Sequence, residues 1–428
     1  MMTKRLFVII LMGLFLISGC RPNTTEEPTL ELVLTGLQQP NEKTFFRTFV
    51  RLFEAEHGIS VNLSYVLPDD MMTYIETSKT EGKNIDVIMV DTARMSNYLD
   101  QDLMVDLQWL NQEVDRTFTQ SFDQYTHRSE VRYFAPVSLD VYLTLYNKSA
   151  LPFIPNGVET IGNDQEEITE ITKISWQQLS TWAKNIEVAT GSPRFGFPYG
   201  QNSSQLIYPI TGIGLAMGDH SLPSFNDAGA KAAWAYLFDL KQNNALAFGP
   251  TFASVNQPTE LLNSNDLWIS FGHMGPLGST FIANPNKYVL GPVPYDETTL
   301  QSGSTAGAWA YGMLKTAKHP TAGKAWIKFI TDPEINYLYC SGLGGVISPL
   351  YEVNDHLTSS TVDQIMATGI RMMNNHMDIV VVDTTRYTVW NEVKLLYIDL
   401  YLQLLDGVTI DDNVLNTYQS QLTELRKA

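Results

Sequence analysis

The chain has 428 residues, 44% of them hydrophobic and 11% aromatic, with a formal net charge of −18 at neutral pH. That length supports two or three domains with cores of their own, and the apolar content excludes a disordered chain. So acidic a chain is repelled as a whole by nucleic acid and by an anionic bilayer, so no nucleic-acid partner is expected.

The N-terminus opens with Lys4 and Arg5 and continues through an apolar run over 6–17. A spanning helix needs about 20 residues, so the run instead has the length and order of a secretory signal. The small pair Ser18 and Gly19 follows, then Cys20, with Leu16 four positions before it. This resembles the bacterial lipobox, which implies export, cleavage before Cys20 and a diacylglycerol on its thiol. Residues 1–19 are therefore expected to be a signal peptide, and 20–28 a lipidated cysteine with a tether. The segment RPNTTEEPT after it has nothing from which to build a core. The expected location is the extracytoplasmic face of the cell membrane. The other cysteine, Cys340 in INYLYCSGL, has no partner left and reads as a buried small hydrophobe.

LELVLTG at 30–36 reads as a strand, and Asn41 after Pro40 reads as the cap of a helix. Phe45, Phe49 and Phe53 recur there at i+4 beside Phe46 and Val50, and His57-Gly58 stops it. ISVNLSYV alternates as a half-buried strand, and IDVIMVD at 85–91 holds an apolar run suited to a strand covered on both faces. Strand, helix, strand, helix, strand is the order of a parallel α/β sheet. In RYFAPVSLDVYLTLYNKSAL, Pro136 is expected to interrupt two β-rich runs. Ser175 and Gln178 in SWQQL form a capping box, followed by the stripe Trp176, Leu179, Ala183 and Ile186. Helices are expected over 226–244, over TAGKAWIKFITDPE, and at about 390–405 and 411–427. Short strands are expected in DLWISFGHMG, KYVLGPVPY and STAGAWAYGML.

These segments, in this order, resemble the extracellular solute-binding proteins of ABC importers, and specifically the carbohydrate-binding family that includes maltose-binding protein. The residues carrying the resemblance are IDVIMVDTARMSNYLDQDLMVDL, YFAPVSLDVYLTLYNKSAL with its aromatic-x-x-Pro-Val and Tyr-Asn-Lys, SWQQL, ISFGHMG, GPVPY, GAWAYGMLK and FITDPE. The resemblance implies a periplasmic-binding-protein-like fold: two α/β lobes joined by a multi-strand hinge, with the ligand in the cleft between them. It places crossings near 137–142, 304–309 and 344–348. The first lobe would take 29–138 and 306–346, and the second 139–305 and 347–428. The implied partners are a small solute, most simply a carbohydrate, and the permease subunits of an importer; a monomer is expected.

A sugar site needs carboxylates, amides or guanidinium groups for paired hydrogen bonds and an aromatic ring for the sugar's C–H face. Asp91 and Arg94 follow a strand end, where open α/β sheets hold their ligands. The resemblance makes Arg94 a contact to sugar hydroxyls, Asp140 the acidic ligand residue before the crossing strand, and Trp309 an aromatic facing the cleft. At the family's usual aromatic platform this chain has Met274, with Trp268 earlier in the strand. Tyr199 and Gln201 could supply a ring and an amide, Gln38 could reach in from the first strand end, and Tyr142 is core or cleft. For each, the plain alternative is a solvated loop, a hinge hydrogen bond or a core position.

Catalysis is not expected. GSTAG at 303–307 has threonine where a nucleophile elbow needs serine, GIGLAMG lacks dinucleotide-binding spacing, and no pair of carboxylates is marked as a glycosidase pair. The seven scattered histidines suggest no metal site, and no cofactor is implied. A polyamine or peptide ligand, or a role in presenting the liganded form to a signalling receptor, are the alternatives.

Overall fold

The computed structural model describes residues 29–426 apart from 38–39, 92–93, 124–125, 163–166, 201–204, 375–376 and 382–389. Cys20, Gln38 and Gln201 lie outside the described residues.

The first lobe starts with β1 (Thr29–Leu34), α1 (Pro40–His57), β2 (Ser60–Tyr65), α2 (Met71–Thr80), β3 (Val87–Asp91) and α3 (Met95–Asp100). Strand β1 lies between β2 and β3, parallel to both, with Leu32 opposite Leu63 and Val87. Leu30, Leu32 and Leu34 are buried, as alternation in a covered strand requires. The α1 helix begins at Pro40, so Asn41, expected before its start, lies within its first turn. Its buried line is Phe46, Phe49, Val50 and Phe53. Phe46 and Phe53 sit 5.9 and 5.1 Å from the Trp326 ring, while Phe45 is at the rim.

A small hairpin, β4 (His127–Arg128) and β5 (Val131–Arg132), precedes β6 (Ala135–Asp140). Pro136 does not separate the two β-rich runs as expected from sequence. It lies inside β6, beside the register shift where Trp309 faces Ser138 and Ala310 faces Pro136. An irregular ladder tolerates a residue without an N–H. The break falls at Val141, after which the chain enters the second lobe.

That lobe contains β7 (Tyr142–Asn147), β8 (Glu159–Gly162), β9 (Ile168–Lys173), α4 (Trp176–Thr190), β10 (Phe195–Gly196), α5 (Ile207–Met217), α6 (Ala228–Gln242), β11 (Leu246–Ala247), β12 (Ile269–His273), α7 (Met274–Ala283) and β13 (Tyr288–Gly291). Its sheet runs in the order β11-β10-β12-β7-β13-β9-β8. Ser175 and Gln178 close the capping box on α4 at 3.0 and 2.9 Å.

The chain returns along β14 (Ser302–Met313) and continues as α8 (Pro320–Ile330), α9 (Pro333–Gly342), α10 (Thr361–Asn374), β15 (Met377–Val381), α11 (Trp390–Leu405) and α12 (Asp412–Leu425). The sheet that carries β1–β3 has the order β15-β14-β3-β1-β2, with β6 also on β14. β15 joins it along 302–306, the start of β14, so this sheet also takes in stretches expected from sequence in the second lobe. Three segments cross side by side. Leu139 exchanges two backbone hydrogen bonds of 2.9 Å with Ile347, Asp140 faces Gly307, and the Tyr142 amide donates to Ser304 Oγ at 2.8 Å. The buried Asn336 amide group donates to the Val137 carbonyl at 2.9 Å and accepts from Ser348 Oγ at 2.5 Å. Cys340 is buried beside it, and burial pushes its thiol well above the ordinary range.

Candidate functional site

Because β1 and β3 are parallel and β14 is antiparallel to β3, one end of the first-lobe sheet gathers the residues that follow β1, the last residue of β3 and the middle of β14. Asp91 ends β3 and Arg94 follows in the next turn, its Nη1 2.5 Å from Asp91 Oδ2; their side chains are only 14% and 22% exposed. Trp309 is the β14 residue directly opposite Asp91, so both side chains leave the same face of the ladder. The indole lies against Gly36, which has φ +88°: a Cβ there would be 2.4 Å from Trp309 Cη2. Glycine is required at that position both by the backbone and by the ring. Half-buried Trp309, the carboxylate and the guanidinium thus form one wall.

A second wall lies on the second lobe. His273 ends β12 opposite Tyr142, the first residue of β7, with ring centroids 4.4 Å apart. Tyr208, in the first turn of α5, lies 6.3 Å from the same imidazole. Asp140 reaches across: its Oδ1 accepts from the Gly275 amide at 3.3 Å and lies 3.6 Å from His273 Nδ1. Gly275 is in the first turn of α7, where the helix dipole favours a negative charge.

The other candidates are buried or stand elsewhere. Tyr142 is 1% exposed; burial is the main force pushing its hydroxyl well above the ordinary tyrosine range, which keeps it neutral. Met274 is fully buried and packs toward Gly369, so no side chain at 274 offers a platform. Tyr199 is 5% exposed and donates to the Gly249 carbonyl at 3.0 Å. Trp268 stands at the far end of β12 from His273, its ring near Phe153 and the Arg194 guanidinium. Sequence reasoning missed Gly36, His273 and Tyr208. For the first two the signal was present: LELVLTG ends a strand in glycine, and ISFGHMG places a histidine where strand turns into helix.

One cluster mimics a catalytic group. His220 Nδ1 lies 2.8 Å from Asp227 Oδ1, beside a cavity of about 380 Å³ that Ser221 also lines. The Ser221 hydroxyl donates to Asp227 at 3.3 Å and not to the imidazole, so nothing activates it as a nucleophile. Asp227 caps α6, accepting from the Ala230 amide at 2.8 Å. Burial pushes its carboxyl up, but bonds from His220, Ser221 and Ala230 outweigh that and hold it well below the ordinary range. Among the described residues, no group of three His, Cys, Asp or Glu side chains could hold a metal, and no helix is long and apolar enough to cross a membrane.

Residues 48–367 match the family model described as bacterial extracellular solute-binding protein. No curated protein sequence matches. Among solved structures, the GacH receptor of Streptomyces glaucescens, studied unliganded and with acarbose, superposes with a TM-score of 0.69 at 16% identity, over 94% of this chain and 99% of that one. The maltose-bound MalE3 of T. maritima gives 0.71 at 15% identity, over 93% and 99%. The sugar-binding protein MalE of Xanthomonas citri gives 0.72 at 13% identity, over 93% and 97%. At these identities the likeness is one of fold: two α/β lobes of the periplasmic-binding-protein kind.

Proposed function

The chain belongs to the bacterial extracellular solute-binding proteins, and from that premise we propose that it captures a sugar or oligosaccharide between its lobes and delivers it to an ABC importer. A lipid on Cys20 holds it at the extracytoplasmic face of the membrane, and its part is binding, not catalysis. The observation that carries the ligand class is Trp309 seated on Gly36 beside the Asp91–Arg94 pair. A flat indole suits the C–H face of a pyranose, and a carboxylate with a guanidinium suits its paired hydroxyls. A solute held between that wall and the His273 wall favours the closed lobes, and it shifts the equilibrium only by as much as it binds them better. A polyamine would need several unsatisfied carboxylates converging, whereas Asp91 is tied to Arg94 and Asp140 to Gly275.

Thermal unfolding with a panel of mono- and oligosaccharides, polyamines and peptides tests this. A ligand at about 100 times its dissociation constant adds roughly 2.7 kcal/mol of stability, which raises the midpoint by a few degrees. A rise with sugars alone is the expected result. A rise only with a polyamine or peptide overturns the ligand class, and no rise with any of them overturns solute capture.

A further inference from the structure

At the end of the first lobe opposite the cleft, a second cavity of about 390 Å³ is bordered by Lys79, Lys83, Lys315 and Lys318 against a single lining carboxylate, Asp102. Such a gathering stands out in a chain with 46 acidic and 28 basic residues. All four lysines are exposed. Lys83 pairs with Glu81 at 2.6 Å and Lys315 with Asp102 at 2.5 Å, exposed pairs of the kind that competing anions break at little cost. Asp86, just behind the rim, is fully buried and accepts from Glu31, Asn84 and His319. Below the lysines the floor is apolar, from Ile75, Ile85, Leu103 and Leu314, with Ser78 and Thr316 at its edge.

The cavity also marks where the chain enters the fold. Glu31 and Asp86 are joined by two hydrogen bonds of 2.9 Å, and Asn84 accepts from the Lys318 amide at 3.1 Å. Thr29 begins β1 two residues before Glu31, so at about 3.3 Å per residue it lies within roughly 10 Å of this rim. The nine residues from Arg21 to Thr29 reach at most about 30 Å when extended. A body lipidated at Cys20 is therefore held with its lysine-rich pole within reach of the bilayer.

We propose that this pole docks on the anionic phospholipid surface of the membrane to which the chain is tethered. The lysines meet phosphodiester groups, and the exposed Thr316 hydroxyl meets headgroup hydroxyls beside them. The remaining acidic surface is repelled by the same bilayer, so charge orients the body as well as holding it. Docking is a resting state: in it the solute-binding ends of β1 and β3 point away from the membrane, and the body leaves it to meet a permease. The proposal relies on the lipid tether for proximity, and its test reads the two separately.

The test uses the full chain, produced in a host that processes lipoproteins and mixed with vesicles of either phosphatidylglycerol or phosphatidylcholine. Flotation with phosphatidylcholine vesicles reports the tether. Amine acylation read by mass spectrometry reports the pole. Labelling of Lys79, Lys83, Lys315 and Lys318 should fall several-fold on phosphatidylglycerol relative to phosphatidylcholine and recover at high salt, with Lys173 of the second lobe unchanged. The double variant Lys79→Gln, Lys318→Gln should weaken protection of the remaining two. Equal labelling on both vesicle types overturns the proposal, and so does equal protection by glycerol phosphate without vesicles, which would mark a small-anion site. A chain that fails to float with phosphatidylcholine has no tether. In that case flotation with phosphatidylglycerol alone supports the docking surface, and flotation with neither overturns it.

Discussion

The Gly275 amide donates to Asp140 Oδ1 at 3.3 Å, so the last residue of a first-lobe strand is bonded to the head of a second-lobe helix. Asp140 is thus a member of the hinge whether or not it also touches solute. Replacing it by alanine leaves the Gly275 N–H without this acceptor and removes a charge from a helix N-terminus. Asp140→Ala should cost about 1–3 kcal/mol in denaturant unfolding, whereas Asp140→Asn should recover part of that. Equal stabilities for the two variants and the parent would remove the carboxylate from the hinge.

Gly36 and Trp309 should behave as one unit. A Cβ at 36 meets the indole and suffers the positive φ, so Gly36→Ala should cost about 1–2 kcal/mol of stability and displace the ring. Trp309→Ala should cost about 1.5 kcal/mol of sugar binding, roughly tenfold in dissociation constant, and Trp309→Phe less. In a Trp309→Ala background, Gly36→Ala should change affinity little further. Calorimetric titration of the four proteins measures this coupling, and strictly additive losses would refute it.

Acid should destabilise the protein partly through Asp227. Its native carboxyl lies below the ordinary range, and an unfolded aspartate titrates near 3.9. A lowered native value contributes stability above the unfolded pKa that is lost as pH falls from about 4 through the lower native value. Urea unfolding between about pH 6 and 3 should show a steeper loss for the parent than for Asp227→Asn. Identical slopes would remove Asp227 from the acid response.

If Cys20 carries the lipid, incorporation of labelled fatty acid should vanish in Cys20→Ser and persist in Cys340→Ser. Cys340 is buried with its thiol raised by burial. Alkylating reagents should therefore reach it only after unfolding.

What the sequence made legible depended on how far each signal was local. The IDVIMVD strand and the Ser175 capping box are short-range patterns and appear as expected, and the phenylalanine stripe does so with Phe46 in place of Phe45 on its buried line. The placement of Asp91 and Arg94 beyond a strand end was legible, whereas Trp309, in the middle of β14, was named only through the family resemblance. The placement of Trp268 and Tyr199 was not legible. An aromatic in a β-rich segment reads alike at either end of its strand, and only the antiparallel pairing of β12 with β7 puts His273, not Trp268, at the hinge end. The Pro136 bulge was hidden for the same reason, since it exists only in the register with β14.

The pair of backbone hydrogen bonds between Leu139 and Ile347, with β14 on the other side of β6, also limits how the lobes can travel. Three ribbons fastened edge to edge resist twisting and sliding in their common plane but yield to bending out of it. The joint is suited to flexing of the lobes toward each other more than to sliding of one past the other. A distance between the lobes is then the natural coordinate along which to follow closure.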